Sequence, residues 1–86
     1  MRDALGLYYH PNPDDISARV YVREKNGELE FRLWQRDHPE IWERHGWMPL
    51  GVIQAAASMY AMNNAADPMR LYDENVARAL LKEASE

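Results

Sequence analysis

The histidines are the residues of this 86-residue chain that would most readily bind a metal ion or move a proton. His38 and His45 are seven positions apart, a spacing that puts two residues on one face of a helix, and Glu40 lies between them. A metal site needs three or four converging ligands with a recognisable spacing, and the sequence contains no such set. We therefore expect no metal and no other cofactor, with His38 and His45 at the two ends of a short helix.

Groups that could attack a substrate are equally scarce. The chain has no cysteine, which excludes thiolate chemistry and disulfides. None of its serines lies in the strand-to-helix turn that exposes a nucleophile in hydrolases, and its scattered glycines form no phosphate-binding loop. Carboxylates such as Asp14 and Asp15 are expected on a solvated surface, without the pocket that a general acid or base requires. The sequence therefore predicts a protein that is not an enzyme.

A different set of residues has the composition of a protein-binding surface. Arginine and aromatic residues, both enriched in interaction hot spots, recur at Arg19, Tyr21, Arg32 and Trp34. We call these four residues the arginine–aromatic face. We predict cation–π pairs between Arg19 and Trp34 and between Tyr21 and Arg32. The alternative is that Trp34 is covered by the N-terminal segment of the chain or by Trp47.

The element that would position this face is a β-hairpin over residues 16–36. Asn26-Gly27 is the strongest short-range hairpin signal, because a type I′ turn needs positive φ at both central residues. Counting outward from this turn places Arg19 opposite Trp34 and Arg23 opposite Glu30. The same register gathers apolar residues, most of them aliphatic, on the other face, namely Ala18, Val20, Val22, Leu29, Phe31 and Leu33.

The segments on either side of the hairpin predict further elements. Residues 4–9 alternate weakly and are interpreted as a third strand, with a loop rich in proline and aspartate over 10–15. Downstream, apolar residues recur at helical spacing. The predicted helices are one capped by Asp37 and ending at Gly46, one from Pro49 to about Asn63, and one starting at Asp67-Pro68 with Tyr72 in its apolar stripe.

These elements predict a single α+β domain over residues 1–86. In this fold, a small antiparallel sheet is packed against two or three C-terminal helices. The helices would cover Val20, Val22, Phe31 and Leu33, so the arginine–aromatic face would point away from them.

Charge and hydropathy restrict the partners. A net charge of −4 disfavours nucleic acid, although Arg19, Arg23, Arg32 and Arg36 form a local basic patch. The most apolar run, residues 47–62, falls short of the ~20 residues that a membrane span requires. Because no signal peptide is recognisable and cysteine is absent, we expect a cytoplasmic protein with no membrane partner.

Three functions remain as hypotheses. The first is a protein interaction or assembly module, with a homodimer as one form, that uses the arginine–aromatic face and the unpaired edges of a small sheet. The second is a small-molecule-binding protein or minor enzyme with a pocket between the sheet and the helices, formed by Tyr60, Tyr72, Trp42 and His45. The third is an accessory protein that binds single-stranded nucleic acid through the same arginines and aromatic rings.

Overall fold

The structure, a computed structural model, describes residues 2–62 and 72–85. In these ranges a five-stranded antiparallel sheet combines with three helices, which confirms the predicted α+β class and adds strands to the predicted sheet. The strands are β1 (Arg2–Asp3), β2 (Gly6–Tyr9), β3 (Ala18–Lys25), β4 (Glu28–Gln35) and β5 (Met48–Pro49). The helices are α1 (Glu40–His45), α2 (Leu50–Met62) and α3 (Glu74–Ser85).

The β3–β4 hairpin forms with the predicted register. The two strands pair antiparallel from Ala18 opposite Gln35 to Lys25 opposite Glu28. The turn residue Asn26 has a φ of 54° and is followed by a glycine with a φ of 81°, as a type I′ turn requires. Because side chains alternate along a strand, this register separates the aliphatic residues from the arginines and aromatic residues.

The N-terminal segment forms two strands where the sequence predicts one. β2 pairs with β3 through Leu7, Tyr8 and Tyr9, and β1 folds back to pair with β2. The strand predicted over residues 4–9 therefore begins only at Gly6. The two residues before it lie in a turn, which is supported by a hydrogen bond of 2.8 Å from the Leu5 N–H to the Asp3 carboxylate.

Short strands form both edges of the sheet. β5 pairs with β4 through Met48 and Pro49, and β1 is the opposite edge. Each edge strand has two residues, and Pro49 has no N–H to offer. β5 pairs only with Glu30 and Phe31 of the eight-residue β4, so the rest of that edge of β4 has no strand partner among the described residues.

The aliphatic face of the sheet forms the core with α2 and α3, on the side that the sequence predicts. Val20 and Phe31 are fully buried, and Val22 is nearly so. Burying each of these side chains stabilises the fold by roughly 1.5–3 kcal/mol. The helices contribute Leu50, Ile53 and Ala77 to the same cluster. The predicted end of the second helix near Asn63 lies outside the described residues.

Helix α1 begins later than predicted. The capping role predicted for Asp37 is wrong, because the helix starts at Glu40 and no side chain caps it. Its first turn is tight, because the Trp42 N–H donates to the Pro39 carbonyl, three residues back, at 3.2 Å. Asp37 lies beside Arg36 instead, with 3.6 Å between charged atoms. The predicted end is confirmed, since Gly46 follows the last helical residue with a φ of 59°.

Helix α3 begins at Glu74 and is capped by the residue before it. The Asp73 carboxylate accepts the N–H of Asn75 at 2.9 Å and that of Val76 at 3.3 Å. The helix start predicted at Asp67-Pro68 lies outside the described residues. Asp73 could have been recognised from the sequence, because a glutamate follows it and opens the helix.

Tyr72 lies before α3 and not in its apolar stripe, which corrects the prediction. Its ring packs on Phe31, with the ring centroids 5.6 Å apart. The adjacent Asp73 N–H donates to the Tyr9 hydroxyl at 2.7 Å, which joins β2 to the start of α3. Burial raises the pKa of Tyr9 to about 12. This junction places Tyr72 between the sheet and α2.

Candidate functional site

The arginine–aromatic face is partly covered by the chain itself. The Trp42 ring of α1 meets Tyr21 edge-on, with centroids 5.2 Å apart, and meets Trp47 at 6.1 Å. Tyr8 of β2 also contacts Tyr21, at 5.2 Å. Tyr21 is consequently fully buried, although strand alternation predicts that it points away from the core. The sheet thus carries an aromatic layer on the side opposite its aliphatic core.

Hydrogen bonds join the Tyr21 hydroxyl to the N-terminal strand. The hydroxyl donates to the Asp3 carboxylate, and Arg19 donates to the same oxygen at 2.9 Å. The Arg19 guanidinium also lies 3.3 Å from the Tyr21 hydroxyl oxygen. Charge-assisted hydrogen bonds of this kind are among the stronger ones in proteins, so they fix β1 against this face.

The Arg19 guanidinium lies between two aromatic rings. It is 4.6 Å from the Tyr8 centroid and 4.8 Å from the Trp34 centroid, which confirms the predicted pair with Trp34. The Arg19 side chain is still 31% exposed. Its Nε atom is buried and has no hydrogen-bond partner among the described residues. Arg19 is therefore held in one position while part of its charge remains at the surface.

Arg32 has a different partner from the one predicted. Its guanidinium lies 3.8 Å from the Trp42 ring centroid, and its Nε donates to the Trp42 carbonyl at 2.9 Å. The predicted register is confirmed, since Arg32 lies opposite Tyr21 on the neighbouring strand, but the ring that its guanidinium contacts is that of Trp42. Because α1 is short, the Trp42 carbonyl is among the terminal carbonyls without a helical partner, and Arg32 satisfies it.

Arg23 makes the third arginine–aromatic contact. Its guanidinium lies 4.3 Å from the Trp47 centroid and forms an ion pair with Glu30 at 2.6 Å. The ion pair follows from the hairpin register, whereas nothing in the sequence indicates the contact with Trp47. Trp47 thus packs on Arg23 and does not take the covering position over Trp34 that the sequence leaves open.

The structure brings the four predicted site residues together with four others. We define the arginine–aromatic cluster as Tyr8, Arg19, Tyr21, Arg23, Arg32, Trp34, Trp42 and Trp47. Tyr21 is buried, while Arg19, Arg32 and Trp34 are half-buried. Tyr8 shares a sheet face with Tyr21 and could have been predicted from strand pairing. Trp42 could not, because apolar residues on a short helix ordinarily indicate the core side.

The cluster carries charges of both signs. Its three arginines bring three positive charges, and the adjacent Asp3 and Glu30 bring two negative ones, which leaves a formal charge of +1. A surface that follows a phosphate backbone is expected to be positive throughout. This balance favours a partner that offers both acidic and basic groups.

The pKa of Asp3 lies below its ordinary value. Burial acts in the opposite direction, but the hydrogen bonds from Tyr21 and Leu5 and the charge of Arg19 outweigh it. Because the pKa is lower in the folded state, the stabilisation is complete above the unfolded pKa of about 3.9. It is lost as the pH falls through the lower folded value.

We expect Asp3→Asn to unfold at a lower urea concentration than the wild type at pH 7, because asparagine carries no charge for Arg19 and has one acceptor oxygen where the carboxylate accepts through both. The difference should be smaller at an acid pH below the folded pKa of Asp3, where the wild-type carboxyl is also uncharged. Asp14→Asn, which alters an exposed carboxylate, is the control and should match the wild type at both pH values. An equal loss for Asp3→Asn at both pH values would contradict the assigned role of the charge.

A second candidate site lies on the aliphatic side, between the sheet, α1 and α2. It is a cleft of about 270 Å³ lined by Leu33, Ile41, His45, Met48, Val52, Ile53, Ala56 and Tyr72. Of the four residues predicted to form a pocket, His45 and Tyr72 line it. Trp42 belongs to the cluster on the other face, so its placement in the pocket is wrong. The side chain of Tyr60 lies outside the described part of the structure.

A larger and more open groove of about 480 Å³ runs between the end of the hairpin and α3. Glu24, Arg78, Leu81 and Lys82 line it. Arg78 forms the ion pair with Glu74 that the helical spacing predicts, with 2.7 Å between the charged atoms. With charges of both signs and one apolar side chain, this groove lacks the converging polar groups of a ligand site.

Within residues 2–62 and 72–85, no three histidine or acidic side chains come together as metal ligands would. His38 lies 3.2 Å from Glu40, and His10 lies 3.0 Å from the Ala18 carbonyl. None of the helices in the same ranges has the length and apolar character needed to cross a membrane.

Comparisons with known proteins assign no family to this chain. No protein-family model, curated protein or solved structure matches it. Conclusions about its function therefore depend on the contacts and charges of the chain itself.

Proposed function

We propose that this protein is an interaction module that associates with a second copy of itself through the arginine–aromatic cluster. The observation that carries the proposal is the position of Arg19, held between Tyr8 and Trp34 yet partly exposed. Tryptophan, tyrosine and arginine dominate the binding energy of protein interfaces. Because these side chains are already ordered, little conformational entropy is lost when they meet a partner.

The mixed charges of the cluster favour a second copy as the partner. In a two-fold dimer the same surface meets itself, so it must be self-complementary. A surface with arginines beside Asp3 and Glu30 meets this condition, because two of its three arginines can each lie opposite a carboxylate of the other copy.

We expect the mass measured by light scattering to rise from 10.1 kDa to twice that value between about 10 μM and about 1 mM protein. Trp34→Ala should weaken the association roughly thirtyfold or more, because it removes an anchor and one of the rings that hold Arg19. The measurement is light scattering or sedimentation equilibrium over the same range of concentration.

Val76→Ala is the matched control, because it removes a partly exposed apolar side chain from α3, on the other side of the sheet. It should associate as the wild type does. A wild-type mass that stays at 10.1 kDa over the whole range would overturn the proposal. So would a dimer that Val76→Ala weakens and Trp34→Ala does not, since a different surface would then form it.

Single-stranded nucleic acid is the competing partner for the same surface. Stacking on Trp34 together with phosphate contacts to Arg19 would give an affinity that falls steeply with salt. We expect a titration with a fluorescent oligothymidine at low salt to show no binding, because Asp3 and Glu30 offset most of the arginine charge. Salt-dependent, saturable binding that Trp34→Ala removes would replace the dimer proposal with this one.

We also propose that the protein binds its partner without catalysing a reaction, and that it is located in the cytoplasm. Binding is favoured because the arginines of the cluster contact rings, carboxylates and a backbone carbonyl, an arrangement that orders a surface and positions no nucleophile or general base. A cytoplasmic setting is favoured by the absence of cysteine from the sequence, since small domains of oxidising compartments commonly depend on disulfides.

A further inference from the structure

We propose that the cleft between β4, α1 and α2 binds a small apolar molecule that carries one carboxylate. This inference is independent of the dimer, because the cleft lies on the aliphatic side of the sheet and shares no residue with the arginine–aromatic cluster. Most of the side chains that line it are aliphatic, so the body of the ligand is expected to be apolar.

The Tyr72 hydroxyl points to a polar group on the ligand. Tyr72 lines the cleft and is 8% exposed, yet its hydroxyl forms no hydrogen bond with any described residue. Among the described residues only Arg19 Nε is a buried side-chain polar atom without a hydrogen-bond partner, so the Tyr72 hydroxyl oxygen is accessible from the cleft. Burial raises the pKa of Tyr72, so the hydroxyl remains a proton donor at neutral pH. A hydrogen-bond acceptor on a ligand in the cleft would satisfy it.

His45 provides a second donor at the same cleft. It is exposed at the end of α1, and its imidazole forms no hydrogen bond or ion pair with the described residues. A neutral imidazole donates through one ring nitrogen, and a protonated one donates through both. A carboxylate is an acceptor with two oxygens, so it can receive the Tyr72 hydroxyl and the His45 N–H together. A charged amine only donates, so it could bind the Tyr72 oxygen or the unprotonated ring nitrogen of His45 but would leave the Tyr72 O–H without an acceptor.

The volume of the cleft limits the size of the ligand. About 270 Å³ equals the space of roughly nine water molecules at ~30 Å³ each. This space suits a body of about ten heavy atoms, and octanoate is a probe of that size. The cleft is near the lower limit of small-molecule sites, which range over roughly 300–1,000 Å³.

The test is a titration of the full chain with octanoate, followed by ¹H–¹⁵N NMR, with 1-octanol and octylamine as matched probes. We expect saturable shifts at the amides of Leu33, Ile41 and Ala56, with a Kd on the order of 1 mM or tighter. Octanol should bind more weakly than octanoate because it lacks the charged acceptor, and octylamine should bind more weakly still.

Tyr72→Phe is the decisive variant, because it keeps the ring on Phe31 and removes the hydroxyl. It should weaken octanoate binding about tenfold and change octanol binding much less. Ala56→Leu should abolish the binding of octanoate and octanol by filling the cleft. Val76→Ala, which alters a side chain outside the cleft, should bind octanoate as the wild type does.

Two outcomes would overturn the inference. One is the absence of saturable shifts in the wild type at any concentration at which octanoate stays dispersed. The other is equal octanoate binding by the wild type and by Tyr72→Phe, which would mean adsorption to apolar surface alone. Tyr72→Phe is chosen for this comparison because it preserves the packing of the ring, and its folding can be checked in the same spectra.

Discussion

Replacing Tyr21 by alanine should lower the free energy of unfolding by about 3–5 kcal/mol, the cost of emptying an aromatic position in a protein core. Tyr21 is fully buried and packed against Tyr8 and Trp42. The substitution would leave a cavity between these rings and would remove the hydroxyl group that donates a hydrogen bond to the Asp3 carboxylate. Urea unfolding at pH 7, followed by far-ultraviolet circular dichroism, measures the loss.

Two variants separate the contributions to this effect. Tyr21→Phe keeps the ring and removes only the hydroxyl, so it should cost about 1–2 kcal/mol. Arg44→Ala, at an exposed position of α1, should stay within about 0.5 kcal/mol of the wild type. If Tyr21→Ala also stayed within that range, the aromatic layer would not be packed as described, and the surface proposed for dimer formation would lose its support.

The second large effect is expected at Gly46. Its φ of 59° and ψ of −164° lie in a backbone region that is essentially restricted to glycine. Gly46→Ala should therefore cost about 1–3 kcal/mol, although a Cβ placed there would meet no atom within 4 Å. The strain is conformational, and it falls on the connection between Trp42 and Trp47. We expect near-ultraviolet circular dichroism to show altered packing of these indoles.

Gly51→Ala is the matched control for this glycine. Gly51 lies in the first turn of α2, and a Cβ there would meet its nearest atom, from Glu28, at an ordinary 3.9 Å. Alanine should be neutral or should stabilise the helix by up to about 1 kcal/mol, because it lowers the entropy of the unfolded chain. Destabilisation of similar size by both substitutions would mean that the backbone conformation at Gly46 is not the cause.

The parts of the fold that were predictable from the sequence are those with a local cause. Asn26-Gly27 determines the turn, and strand alternation then determines which side chains share a face. The pairs Arg19–Trp34 and Arg23–Glu30 follow directly from that register. The aliphatic face has to be covered, so the packing of α2 and α3 on it could also be expected.

The parts that were not predictable depend on contacts between distant segments. Edge strands of two residues, such as Arg2–Asp3, are too short to show any alternation. The position of α1 depends on the contacts of Trp42 with Arg32 and of Trp47 with Arg23. A helix of six residues has too short a pattern to indicate which face of the sheet it covers. For the same reason, the sequence predicts Tyr21 as the partner of Arg32, whereas the structure places Trp42 there.

All three tryptophans of the chain are in the arginine–aromatic cluster, and each lies against a guanidinium. The tryptophan fluorescence of the protein therefore arises entirely from one side of the sheet, and the core on the other side, which contains Tyr9 and Tyr72, does not contribute to it. A change in tryptophan emission therefore reports the loss of packing in the arginine–aromatic cluster alone. Emission and methyl resonances followed in parallel would show whether the two sides of this small protein melt together or in succession.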